Sequence, residues 1–178
     1  STWGTSIAVT ESKKVYGWGY SNYGALGKDG RFTSPIKVSN INTAVEAALG
    51  GTDSTPFTYI LKEDGTVSSL GYNVNGELGN GAKVSTTAVQ EVSNLTEIMQ
   101  VAGSKNGNFG AAVKEDGTVW TWGRNDGGQL GNNNTSNKSL PVQVKGGASG
   151  SEYLTDVVQV TAGNWHSMAL KANGTVYA

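Results

Sequence analysis

The chain has one histidine, His166, and no cysteine, so any acid–base or nucleophilic chemistry near neutral pH has few groups to draw on. Ser167 follows that histidine. A nucleophile–base pair would also need a buried carboxylate behind the imidazole and a serine set apart from its surroundings. Two pairs of adjacent acids, Glu63–Asp64 and Glu115–Asp116, are candidates for a general acid and base. The stretch Asn73-Val74-Asn75-Gly76-Glu77 has the oxygen-rich side chains of a calcium loop. The EF-hand spacing wants Gly at its sixth place and Glu at its twelfth; counted from Asn73 those places hold Leu78 and Val84, so the match fails. No glycine-rich segment carries the Gly-Lys-Ser/Thr ending of a phosphate-binding loop.

Most of these candidates belong to a repeat, which changes their meaning. Gly17 to Gly27, Leu70 to Gly79 and Trp122 to Gly131 are variations on one motif, with Trp18, Leu70 and Trp122 standing 52 residues apart. Gly19, Gly71 and Gly123 form a second column, Gly24, Gly76 and Gly128 a third, and Leu26, Leu78 and Leu130 a fourth. A motif of Ile60 to Val67 returns at Ala112 to Val119 and again at Ala169 to Val176, the last step lengthened to 57 residues by the insertion Lys145 to Ser151. A fixed period of this size marks a repeat architecture. A column filled in every unit is scaffold, so function is to be sought where the units differ.

Set in this frame, the chemical candidates weaken. The His166 column holds Phe109, Phe57 and Thr5, which makes it a packing position. The paired acids fall in register inside Lys-Glu-Asp-Gly-Thr turns, where adjacent side chains point apart and Asp-Gly supplies the positive φ of a hairpin. The first unit has Ser12-Lys13-Lys14 there instead. No catalytic residue, cofactor or metal site is expected.

Apolar runs of four to seven residues, bounded by Gly, Asn, Asp or Pro, read as strands. One unit offers Phe57 to Leu61, Thr66 to Leu70, Ala88 to Val92 and Ile98 to Ala102. Thr43 to Leu49 is the best helix candidate, but it aligns with strand-like stretches elsewhere. Four short antiparallel strands per unit describe a blade of an all-β propeller, which buries its two faces only against neighbouring blades. Trp18, Leu70 and Trp122 are then the natural wedges between blades. The repeats run over approximately 1–51, 52–103, 104–163 and an incomplete 164–178, together one partial propeller.

Composition agrees. Gly makes up 26 of 178 residues, about twice the usual ~7%. Charged residues are 15% and the net charge is −1, with no basic cluster of the kind that marks a nucleic-acid binder. No run approaches the ~20 apolar residues of a membrane helix. The first residue is Ser1 rather than Met, as in a trimmed or excised segment. The lack of Cys is compatible with an exported bacterial protein, at the cell surface or outside it.

Gly163-Asn164-Trp165-His166-Ser167, running on to Tyr177, together with Trp122 to Gly131, resembles the repeat of the regulator-of-chromosome-condensation family over essentially the whole chain. The resemblance implies a ring, usually of seven blades, of which about three and a half repeats are here. Missing blades would come from the parent protein, another fragment or self-association. The family includes a guanine-nucleotide exchange factor, a secreted β-lactamase inhibitor, an ultraviolet sensor and modules of ubiquitin ligases. What they share is a rigid disc whose loops bind another protein.

The expected function is therefore a non-enzymatic protein-interaction scaffold. Regulation or inhibition of one specific enzyme is the alternative, and nucleotide exchange ranks lower because it uses a projecting hairpin. The loop before the first hairpin strand of each unit varies most, and it supplies the candidate partner-binding residues Trp3, Asp53, Lys105, Asn106 and Trp165. Large aromatics in such loops suit interface anchors.

Overall fold

A computed structural model describes residues 4–146 and 152–178. Among them the one helical element is a single 3₁₀ turn at Asn22–Gly24. The strands form consecutive antiparallel sheets in which spatial order follows chain order, as short connections between neighbours require. The first blade holds β1 (Thr5–Val9), β2 (Val15–Ser21) and β3 (Gly30–Lys37). The second holds β4 (Ala44–Gly50), β5 (Phe57–Lys62), β6 (Val67–Gly71) and β7 (Thr86–Glu91). The third holds β8 (Ile98–Gly103), β9 (Phe109–Lys114), β10 (Val119–Gly123) and β11 (Lys138–Gln143). A small ladder of β12 (Lys145–Gly146) and β13 (Glu152–Tyr153) brackets the insertion, and the fourth blade holds β14 (Val157–Ala162), β15 (Ser167–Lys171) and β16 (Val176–Tyr177). The best helix candidate, Thr43 to Leu49, is thus the strand β4. Each sheet opens one strand earlier than the repeat as written from 52 or 104, because β4 and β8 close the preceding sequence unit.

Strand alternation builds the core. Along β5, Phe57, Tyr59 and Leu61 face the third blade, while Ile60 faces the first. One buried cluster therefore lies between each pair of blades: Val15, Leu26, Val38, Ile60 and Leu70, then Tyr59, Leu78, Val92, Ala112 and Trp122, then Val113, Val119, Leu154, Val160 and Ala169. The wedge column works as its position implies at two junctions. Leu70 is fully buried against the first blade. Trp122 is fully buried against the second, its ring edge-on to Tyr59 at 5.2 Å and its Nε1 donating to the Glu77 carbonyl at 2.9 Å. Trp18 stands on the outer face of the first blade, which no described blade covers, and is 36% exposed.

A second tie between blades went unread in the sequence. The Glu46 carboxylate on β4 accepts a hydrogen bond from the Val101 backbone N–H on β8 at 3.2 Å, and the Gln100 side-chain oxygen accepts one from Val160 on β14 at 2.8 Å. These strands lie side by side along the inner side of the arc. The column glycines 19, 24, 71, 76, 123 and 128 all have positive φ. At Gly76 the requirement is also steric: a Cβ there would lie 2.5 Å from the Ser139 Cα on the outer strand of the next blade, whereas at Gly128 nothing comes within 4 Å.

Trp122→Ala should lower unfolding stability by about 3–5 kcal/mol, as for other buried large-to-small changes. Trp18→Ala should cost far less. Urea unfolding of both variants checks this, and equal losses would contradict the wedge assignment.

Candidate functional site

Antiparallel pairing of Phe57 with Gly71 places the loops 51–56 and 72–85 at one end of the second blade, with the hairpin 63–65 at the other. The same pairing of Phe109 with Gly123 does so in the third. The variable loops therefore share one rim. Backbone and side-chain bonds tie them across blades: Gly51 N–H to Ser104 O at 2.8 Å, Asn106 N–H to Gly51 O at 3.3 Å, and Asn22 Nδ2 to Asp53 O at 2.6 Å.

The apparent chemical groups are committed to building this rim. The Asn73 side chain donates to the Ala82 and Val84 carbonyls and accepts from Leu78 N–H at 2.9 Å. Asn125 repeats the pattern with Asn134, Ser136 and Leu130, and Ser21 does a smaller version with Leu26 and Lys28. This asparagine closes the long loop on itself, so its oxygen is already used. Among the described residues no group of three or more His, Cys, Asp or Glu could hold a metal. Asp64 and Asp116 accept from Thr66 and Thr118 within their turns, and those bonds hold both carboxyls below the usual range. The turn's positive φ falls at Gly65, Gly117 and Gly174, and in the first blade at Lys13, which adopts it at 59° without glycine.

The next residues of the loop form the seams between blades. The Ala25 carbonyl accepts from Thr58 Oγ1 at 2.6 Å, Glu77 from Trp122 Nε1 and the Tyr59 hydroxyl, and Gln129 from Ser167 Oγ at 3.1 Å. Ser167 is therefore bound to a backbone carbonyl. His166 is exposed, while Phe57 and Phe109 of its column are fully buried, because its blade face has no described blade against it.

Above the seams runs an aromatic and cationic stripe. Tyr20, Tyr72 and Arg124 occupy one column, two residues beyond the wedge, which holds Tyr in two repeats and Arg in the third. The Arg31 guanidinium lies 5.1 Å from the Tyr20 ring. Tyr23 and Tyr72 meet edge to face at 5.2 Å, joining the first blade to the second. Arg124 sits 4.5 Å over the Trp165 ring, joining the third to the fourth, and is held by Asp126 at 2.7 Å. The Tyr72 hydroxyl titrates above its ordinary range, first through burial and then through the negative charge of Glu77, with Arg124 opposing.

Of the residues singled out in the sequence, Trp165 belongs to this stripe and is 50% exposed. Asp53 is half-buried at the seam between the first two blades. Lys105 is exposed and pairs through its backbone with Gly51, and Asn106 donates its N–H to the same residue. Trp3 lies outside the described residues. Tyr20, Tyr23, Tyr72, Arg31 and Arg124 were missed. The column immediately after Gly19, Gly71 and Gly123 finds Tyr20, Tyr72 and Arg124; Tyr23 and Arg31 lie outside it.

The profile of the Regulator of chromosome condensation (RCC1) repeat matches residues 13–55 and 116–170, and a second profile of that repeat matches 102–129. The chain belongs to this family of repeat β-propellers. It is 30% identical over 177 residues to the human E3 ubiquitin-protein ligase HERC2, covering 97% of this chain and 4% of that protein. It is 28% identical over 177 residues to the Arabidopsis thaliana ultraviolet-B receptor UVR8, covering 97% of this chain and 38% of the receptor. Over 145 residues it is 33% identical to the human X-linked retinitis pigmentosa GTPase regulator, 78% of this chain and 14% of that one. Among solved structures, human WBSCR16 superposes with a TM-score of 0.78 at 19% identity, over 99% of this chain and 45% of that chain. Prp20p of Saccharomyces cerevisiae does so at 0.76 and 18%, over 95% and 42%. The chain thus spans less than half the length of these relatives.

Burial holds the Glu77 carboxyl above its ordinary range, against the hydrogen bonds it accepts from Asn75. The folded chain then binds that proton more tightly than the unfolded chain, so this group's contribution to stability falls as pH rises through the raised range. Glu77→Gln, which copies Gln129, should remove that fall. Melting temperatures from acidic to neutral pH should show the variant gaining on the parent as pH rises; a variant losing ground would contradict it.

Proposed function

We propose that this chain is a non-enzymatic protein-interaction module that grips its partner with the stripe Tyr20, Tyr23, Tyr72, Arg124 and Trp165. One observation carries the reading: the scaffold columns are committed to seams and turns, while exposed and half-buried aromatics and arginines gather on one rim. Tyr, Trp and Arg are the side chains that most often dominate interface energetics, because they bury large rigid areas and still hydrogen-bond. RCC1-like repeat domains are in general interaction or regulatory domains. The relatives point the same way: a ubiquitin ligase, an ultraviolet-B receptor, a GTPase regulator, and yeast Prp20p with its binding to Gsp1p and histones.

Regulation of one specific enzyme is the second reading, and it uses the same rim with an enzyme as the partner. In either case further blades complete the ring. The uncovered faces support this, with Trp18 on the first blade and Met168 and Val176 on the fourth, all exposed apolar groups at positions that neighbouring blades bury elsewhere. Those blades come from the parent protein, another fragment or a second copy.

Affinity capture from the source extract tests the rim. Proteins captured by the parent chain should be lost with Arg124→Ala combined with Tyr72→Ala, by tenfold or more for about 1.4 kcal/mol or more of lost contact. They should be retained with Lys62→Ala at the opposite end. Loss with the Lys62 change and retention with the rim change would contradict the proposal.

A further inference from the structure

Each inner strand of the second, third and fourth blades begins with a bulge. The register shifts between Ala44 and Glu46 in β4, between Ile98 and Gln100 in β8, and between Val157 and Gln159 in β14. The extra residue is apolar every time: Val45, Met99 and Val158, one column of the repeat. A bulge re-aims a side chain, and these three stand outside the core, 50%, 47% and 50% exposed. The blades of Val45 and Met99 have a described blade packed on either side, so seam packing is complete around both. An apolar column that stays exposed in every repeat therefore serves no seam, and exposed apolar groups that gather in one place mark a binding surface.

Val45 and Met99 share a groove of about 380 Å³ between the second and third blades, at the hairpin end and opposite the rim. Leu61 and Ile98, both buried, form its floor. Its sides are acidic. Glu63 and Asp64 come from the turn of the second blade, Glu97 precedes β8, and Glu115 comes from the turn of the third. Among the described residues Lys62 is the one cation lining it, and Glu91 holds its Nζ at 2.9 Å. Glu63 pairs with Lys13, and Glu97 with Lys114 at 3.2 Å. With these partners included, five carboxylates face three ammonium groups. Glu115 is exposed and has no ion pair among the described residues.

We propose that this groove is a docking site for a basic peptide segment of a partner protein, in which an apolar side chain is flanked by Lys or Arg. The apolar side chain settles on Val45 and Met99 and takes their exposed surface out of water. The flanking cations meet Glu115 of the third blade and the Glu63–Asp64 turn of the second. Their long stems cover more of the apolar surface while the charged heads stay wet. Charge complementarity selects this occupant, because an acidic segment or a nucleic-acid backbone is repelled by the same carboxylates. The site lies at the end of the blades away from the aromatic stripe and does not rest on it.

The test uses the 178-residue chain and three fluorescently labelled peptides: Lys-Arg-Leu-Arg-Lys, the same peptide with Ser for Leu, and the same peptide with Glu for every basic residue. Anisotropy should show saturable binding of the first and at least about tenfold weaker binding of the other two. The affinity should fall as salt rises, since the charges are exposed. Met99→Lys and Glu115→Lys, both at exposed positions, should each weaken binding by about fivefold or more. Asp29→Lys makes the same charge change as Glu115→Lys but in the exposed loop between β2 and β3, and it should leave binding unchanged, as should Tyr72→Ala on the rim. No saturable binding, equal binding of the Leu and Ser peptides, or a loss with Asp29→Lys or Tyr72→Ala equal to that with Glu115→Lys would overturn the proposal.

Discussion

Each blade of this chain is a small sheet with two apolar faces, and burying both against neighbouring sheets is the requirement from which the other features follow. The wedge residues Leu70 and Trp122 occupy the space between sheets. The loop carbonyls of Ala25, Glu77 and Gln129 take hydrogen bonds from the blade that follows, so polar atoms at the seam stay satisfied where water is shut out. Glycine at 76 lets the loop of one blade touch the backbone of the next. The inner-strand bonds from Glu46 and Gln100 tie the same neighbours on the axis side. Stability in such an array comes from each unit and its nearest neighbours.

That requirement also sorts the residues by role. Groups with chemical potential in isolation, such as Asp64 and Asp116 of the acid pairs, Asn73 and Ser167, all bond backbone groups here. Outside the seams and turns, the rim presents Tyr, Trp and Arg side chains from different blades, paired with one another across the blades. A rigid base that orders these side chains in advance lowers the entropy lost on binding.

The strands, their number per blade and the turn positions were legible in the sequence because they depend on local alternation and on Asp-Gly chemistry, which repeat in register. Phe57 to Leu61 and Ile98 to Ala102 agree with β5 and β8 to within a residue. The wedge column was legible for the same reason. The exposure of Trp18 and His166 was not, since burial at those positions depends on whether another blade lies against the face, a non-local fact. Glu46 and Gln100 were hidden because a bulge at the start of each inner strand shifts the register, and because their partners are backbone groups of a different repeat. The rim stripe escaped notice because its contacts join residues of adjacent blades, Tyr23 with Tyr72 and Arg124 with Trp165, which no single repeat displays.

Residue-resolved native-state hydrogen exchange tests most directly whether packing between blades governs this fold. Amides at the inner seams, Val101 and Val160 above all, should exchange among the slowest. Outer-strand amides of β3, β7 and β11 should exchange fastest, and Trp122→Ala should speed exchange in the second and third blades together. Blades that exchange independently, with Trp122→Ala felt only in its own strand, would contradict the account.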